Sequence, residues 1–124
     1  MIMAIQDNKP VYLQLADVLM DDIVSRKYTD DGRVPSVREF AADHQVNVNT
    51  VARTYEYLTQ RDIIYTRRGM GYFVWSGAAA RVAEMRRQEF LNHDMGYFFG
   101  IMRSFGMTPD ELSNLYKEYL GKIN

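Results

Sequence analysis

Apolar positions recur at helical spacing through the first half of the chain, broken by two polar clusters; they then alternate briefly and return to helical spacing near the end. Tyr12, Leu15, Leu19 and Ile23 make one stripe, which predicts a helix from Pro10 to about Ser25. Proline is tolerated in the first turn, and Asp7 or Asn8 is placed to cap it. The stretch KYTDDG that follows is a loop by composition. In RVPSVREFAADHQ, Ser36 and Glu39 form a capping box, so a short second helix starts at Val37 and turns Phe40 and Ala41 inward. Its pattern loses apolar character at Asp43, His44 and Gln45.

In VNVNTVARTYEYL, Asn47 caps a third helix that runs to about Gln60 or Arg61. On a wheel of about 100° per residue, Val48, Val51, Thr54, Tyr55 and Leu58 share one side. Asn49, Arg53 and Gln60 fall on the other, with Thr50 at the edge. Two helices joined by a short turn, with small Ala41 at the crossing and Val46, Val51 and Leu58 in the angle, are the helix-turn-helix pattern. Directly behind it, IIYTRRGMGYFVW alternates and predicts strand 63–67, a turn around Gly69 to Gly71, and strand 71–75. A two-stranded ribbon in that place is a wing.

From Ser76 the character changes. SGAAA is a hinge or a helix start, and Leu91, Met95, Phe98, Met102 and Phe105 then form an apolar seam whose phase continues weakly at Glu84 and Gln88. Gly106 ends that helix, and Thr108-Pro109-Asp110-Glu111 opens a last one carrying Leu112, Leu115, Tyr116, Tyr119 and Ile123. So short a segment buries little surface alone, and burial against a second copy is the cheaper solution. Gly96 and Gly100, four apart, allow close backbone approach there. The expected architecture is mainly α with a small β-hairpin: a winged helix-turn-helix over 1–75, then a two-helix C-terminal dimerisation unit over 76–124.

Net charge is only −1, but it is uneven: residues 1–32 carry −3, residues 33–75 carry +2 and the remainder is neutral. All six basic residues of the middle third are arginines, whose planar fork suits phosphates and guanine edges. The absence of cysteine removes disulfides and thiolate metal sites. No apolar run approaches the roughly 20 residues of a membrane span, and no basic segment precedes a hydrophobic one at the amino terminus. The expectation is a cytoplasmic protein with no membrane partner.

Enzyme readings lack parts. His44 and His93 lie on different predicted elements, and neither has a nucleophile or second ligand at a telling spacing. The Gly69-x-Gly71 pair joins strand to strand, so no helix amino terminus awaits a phosphate there. Neither a cofactor nor a metal is expected. A nucleic-acid reading explains more: an α-helix fits the major groove, first turns nearest the bases, so Asn49, Thr50 and Arg53 would face base edges. Ser36 and Arg38 suit phosphates, and Arg67, Arg68 and Gly69 at the wing suit an adjoining minor groove. The competing reading is a winged-helix module that docks protein, for which outward apolar anchors on the third helix would be required. Tyr97, Phe98, Phe99 and Phe105 are read first as core, and second as the lining of a small-molecule effector pocket at a dimer interface.

The segments RVPSVREFA, VNVNTVARTYEYL and IIYTRRGMGYFV, preceded by PVYLQLADVLMDDI, resemble the winged helix-turn-helix domain of the GntR family of bacterial transcription regulators. The resemblance covers roughly residues 8–75, and the short tail resembles the YtrA-like branch, whose two helices dimerise. It implies a homodimeric, sequence-specific regulator, commonly a repressor, bound to a palindromic double-stranded DNA operator. Family DNA contacts then transfer to Arg38, Asn47, Asn49, Thr50, Arg53, Arg68 and Gly69. Gln45 stands where many members have glycine, and Val48 and Ala52 stand where the fatty-acid-responsive branch has arginines.

Overall fold

The structure, a computed structural model, describes residues 8–123. The chain divides into two compact units, Met1–Arg86 and Arg87–Asn124. In the first, helix α1 (Val11–Val24), helix α2 (Val37–His44), helix α3 (Val48–Gln60) and a hairpin of β1 (Ile64–Arg67) and β2 (Gly71–Val74) surround one apolar core. Helix α1 contributes Leu15, Leu19 and Ile23, as its stripe predicts, and α2 contributes Phe40 and Ala41. Helix α3 buries Val51, Tyr55 and Leu58 completely. Each such side chain contributes on the order of 1.5–3 kcal/mol by leaving water, which fixes which face of α3 remains outside.

Two polar groups lock the helices at that rotation. Thr54 Oγ1 donates to the Tyr12 carbonyl at 2.7 Å, tying α3 to α1. The Tyr55 hydroxyl donates to the Pro35 carbonyl at 2.6 Å, tying α3 to the segment before α2. Among the described residues no buried side-chain nitrogen or oxygen lacks a hydrogen-bond partner.

The ends of the helices follow local chemistry, with one exception. Helix α1 starts at Pro10 without a side-chain cap, so Asn8 does not cap it as expected, and Asp7 lies outside the described residues. Pro10 itself takes the N-cap position, where its carbonyl accepts from the Leu13 and Gln14 N–H groups and its ring offers no side-chain acceptor. The Ser36–Glu39 capping box forms in both directions: the Glu39 N–H donates to Ser36 Oγ at 3.0 Å and the Ser36 N–H donates to the Glu39 carboxylate at 2.8 Å. That second bond holds the Glu39 carboxyl below the usual carboxylate range. Helices α1, α2 and α3 end on left-handed Arg26, Gln45 and Asp62, and in each case the next residue's N–H reaches back to a carbonyl five positions earlier.

The hairpin pairs antiparallel with Tyr65 opposite Phe73 and Arg67 opposite Gly71. Its strands are one residue shorter than expected at their outer ends, because Ile63 closes the end of α3 by donating to the Leu58 carbonyl. The segment read as a loop before Val34 does more than connect. Asp31 N–H donates to the Val74 carbonyl, Val74 N–H to the Gly32 carbonyl, and Val34 N–H to the Tyr72 carbonyl, so residues 31–34 cover the open edge of β2.

Helix α4 (Ala78–Glu89) begins immediately after the wing. Its Ala78 and Val82 are buried in the core cluster, and Arg86 bridges Asp21 of α1 at 2.8 Å. The first compact unit therefore extends beyond residue 75, where the composition changes, because α4 contributes two apolar side chains to it.

In the second unit a π-helical turn over Phe90–Asp94 leads into helix α5 (Met95–Ser104), which is followed by helix α6 (Pro109–Ile123). The seam expected along one regular helix is therefore interrupted: Met95 N–H bonds the Phe90 carbonyl five residues back, which rotates Leu91 relative to Met95. Phe105 is the residue closing α5, and Gly106 takes the left-handed position after it with φ 73°. Thr108 Oγ1 accepts from the Glu111 N–H at 3.2 Å at the start of α6.

Candidate nucleic-acid interface

The first turn of α3 is built by Asn47, whose side-chain oxygen accepts from the Asn49 N–H at 2.7 Å. This fixes where the helix begins and commits that oxygen, leaving the Asn47 NH2 as an outward donor. Asn47 and Asn49 are exposed, Thr50 is half-buried beside them, and Arg53 is exposed one turn on. Val48 departs from the expected wheel: it is 46% exposed and not part of the buried face. The first turn of α3 projects beyond the core, so a residue in phase with Val51 still meets solvent there.

Arg53 is not loose. Its guanidinium lies 4.0 Å over the ring of Tyr12 on α1. Tyr12 in turn meets Tyr57 edge to face, with ring centroids 6.2 Å apart, and the guanidinium of Arg61 lies 3.7 Å over Tyr57. Arg61 also donates to the Tyr57 carbonyl at 3.2 Å, which commits it to the carboxyl end of α3, away from the exposed first turn. The sequence reading assigns Tyr12 to the apolar stripe of α1 and so misses its second role; the only signal for it is that tyrosine opens a stripe otherwise made of leucine and isoleucine.

At the start of α2, Ser36 is held in the capping box and Arg38 is exposed. At the wing, Arg68 and Gly69 occupy the exposed turn, with Gly69 at φ 76° and open space where a Cβ would stand. Arg67 differs from them: as the last residue of β1 it lies over Phe73 at 4.9 Å and over Tyr65 at 5.9 Å. The structure thus gathers Asn47, Asn49, Thr50 and Arg53 on one exposed turn and a half of α3, with Ser36 and Arg38 at the start of α2 and Arg68 and Gly69 at the end of the hairpin as separate groups. Arg33 was not singled out by the sequence; its Nε donates to the Met70 carbonyl at 3.3 Å beneath the wing turn.

Residues 11–74 match the model of the bacterial regulatory proteins of the gntR family. The chain belongs to the GntR family. It is 33% identical to the uncharacterised HTH-type transcriptional regulator YhcF of Bacillus subtilis (strain 168), over 86% of this chain and 87% of that protein. It is 29% identical to the HTH-type transcriptional repressor YtrA of the same organism, over 64% of this chain and 61% of that one, in keeping with the YtrA-like branch. A GntR-family regulator from Bacteroides thetaiotaomicron, known from its crystal structure, superposes with a TM-score of 0.84 at 41% identity, covering 93% of this chain and all of that one. The winged helix-turn-helix fold and a role as a DNA-binding transcription regulator follow from this membership, and an enzymatic role does not. Among the described residues, no helix is long and apolar enough to cross a membrane.

Proposed function

We propose that this GntR-family regulator binds a palindromic operator as a homodimer and represses transcription from it. One observation carries the reading: α3 buries Val51, Thr54, Tyr55 and Leu58 and leaves Asn49 and Arg53 outside, behind an Asn47 cap. An asparagine amide can pair with adenine and an arginine fork with guanine O6 and N7 in the major groove, each good bidentate contact contributing on the order of 1–3 kcal/mol of discrimination. Arg38 and the Asn47 NH2 supply phosphate contacts that set register, and Arg68 with Gly69 reaches the flanking minor groove. Arg67 assists from the side of the hairpin.

The tail supports pairing. Leu91, Phe105, Leu115, Tyr116, Tyr119 and Ile123 are all exposed, and Met95, Phe98 and Met102 are half-buried. A Cβ at Gly96 or Gly100 would meet nothing within 4 Å, so α5 offers a smooth surface for a second helix. A twofold dimer would set two α3 helices on half-sites about 34 Å apart, one turn of the duplex. A mobility-shift titration of the upstream region of its own gene across a salt series tests this. Affinity falling steeply with salt, and loss of sequence preference in Arg53→Ala with the dimer intact, is the expected result. No binding at low salt would transfer the reading to a winged-helix module that docks protein.

A further inference from the structure

Arginines at an exposed helix turn have long, flexible stems, and ordering one on DNA costs entropy that a preformed rotamer avoids. In this chain the Arg53 guanidinium rests on the ring of a residue of a different helix, a contact that favours one rotamer. The carrier of the stack is itself fixed: the Tyr12 carbonyl accepts from Thr54 Oγ1 at 2.7 Å, one residue along α3 from Arg53. The Tyr12 ring also meets Tyr57 in an edge-to-face pair, one helical turn after Arg53. Ring and guanidinium are therefore placed together by the junction of α1 with α3.

Stacking uses the flat face of the guanidinium, whereas its five N–H donors lie in the plane. A guanidinium lying on Tyr12 keeps all of its donors available to a guanine edge. The two interactions are compatible, and the first prepares the second. Among the described residues, no hydrogen bond or ion pair draws the Arg53 donors elsewhere, in contrast to Arg61, which is folded back on a carbonyl. Lysine on the same ring would offer a point charge without the planar fork.

We infer that Tyr12, on the first helix, is a positioning residue for Arg53 and thereby sets base selectivity at the position Arg53 reads. This rests on α3 being the base-reading helix. The consequence is that part of the operator specificity of this regulator is encoded outside the helix-turn-helix.

The test uses the full chain, a duplex selected from random DNA by the wild-type protein, the same duplex with 7-deazaguanine in place of guanine, and an unrelated duplex. Tyr12→Phe keeps the ring and is expected to leave selectivity within about twofold. Tyr12→Leu is expected to lose about three- to tenfold on the selected duplex and nothing on the unrelated one. In the Arg53→Ala background, Tyr12→Leu is expected to add no further loss. Independently of DNA, the side-chain Nε–H resonance of Arg53 should carry a ring-current shift that persists in Tyr12→Phe and vanishes in Tyr12→Leu. Equal loss on both duplexes, additivity with Arg53→Ala, or an unshifted Arg53 resonance in the wild type overturns the assignment of Tyr12. If instead Arg53→Ala leaves the preference for guanine intact while the ring-current shift is present, the base-reading role of Arg53 fails and the inference falls with it. Should Tyr12→Leu not fold, Tyr12→Met with the same resonance and duplexes decides the matter.

Discussion

Arg33 occupies the space that a side chain at Gly71 would need: a Cβ built on Gly71 would stand 3.3 Å from Arg33 Nε, the nitrogen that donates to the Met70 carbonyl. Arg33 also lies 3.9 Å from the Glu39 carboxylate on α2, so one arginine connects the wing turn to the start of the helix-turn-helix. Gly71 has φ 103°, a backbone conformation side chains rarely adopt. Gly71→Ala should therefore destabilise the fold by about 1–3 kcal/mol, mostly from backbone strain. Gly69→Ala, at φ 76° with open space around it, should cost about 1–2 kcal/mol and leave the Arg33 contact in place. Urea denaturation of both variants, with the Arg33 Nε–H resonance as local reporter, checks the difference.

Gln45 ends α2 at φ 54° and ψ 48°, in the left-handed region. It is exposed and among the described residues makes no side-chain bond that would compensate, whereas the carbonyls of Ala41 and Ala42 accept backbone N–H groups. Gln45→Gly should stabilise the protein by about 0.5–1 kcal/mol, the relief of side-chain strain less the added freedom of the unfolded chain. A rise in the thermal midpoint with unchanged operator affinity is expected. A fall would mean that Gln45 holds the turn through its side chain.

What the sequence made legible and what it did not divide along a physical line. The stripe of α1, the Ser36–Glu39 box, the Asn47 cap and the glycine turn of the wing are local, and spacing or a single residue type declares each of them. The buried face of α3 followed from periodicity except at Val48, where exposure depends on how far the core reaches and not on phase. Residues 31–34 gave no signal, because their pairing with β2 is made by backbone groups in a stretch of loop composition. The stack of Arg53 on Tyr12 joins residues 41 positions apart, and the support of the wing by Arg33 joins residues 37 apart. The first cannot be read without the crossing of α1 and α3, nor the second without the pairing of residues 31–34 with β2. The π-helical turn at Phe90–Asp94 is likewise invisible to a regular seam count, since the count assumes one helical period throughout.

Burial pushes the Tyr55 phenol well above its ordinary value, with Tyr28, Tyr72 and Glu39 adding to the effect. The folded state keeps the proton that the unfolded chain gives up at about pH 10, so this contribution to stability is complete below pH 10 and is lost as pH rises toward the folded value. Glu39 behaves in the opposite sense: its carboxyl is held low by the Ser36 N–H, so its contribution is present above about pH 4.3 and lost as pH falls below that. Tyr55→Phe should cost about 1 kcal/mol at neutral pH, from the lost bond to the Pro35 carbonyl, and flatten the alkaline loss of stability. Urea midpoints measured between pH 7 and pH 11 report both effects, and an unchanged alkaline slope in Tyr55→Phe would assign the loss to other groups.

The exposed apolar residues of α6 give the pairing proposal its sharpest test. Leu115, Tyr116, Tyr119 and Ile123 are 47 to 62% exposed, and the stretch from Leu115 to Ile123 holds two lysines and one glutamate. In a twofold dimer any substitution appears twice in one interface, so a carboxylate at Tyr119 would be buried opposite or beside its own copy. The double variant Leu115→Glu/Tyr119→Glu should therefore sediment as a monomer at concentrations where the wild type is a dimer. The first unit takes its buried core from α1 to α4 and not from α6, so the thermal unfolding of that unit should be little changed. Operator affinity should fall at least tenfold while affinity for an isolated half-site is retained, because only the second contact of the pair is lost. A variant that remains dimeric would place the interface elsewhere on the chain, and one that loses half-site binding as well would show that α6 supports the DNA-reading unit itself.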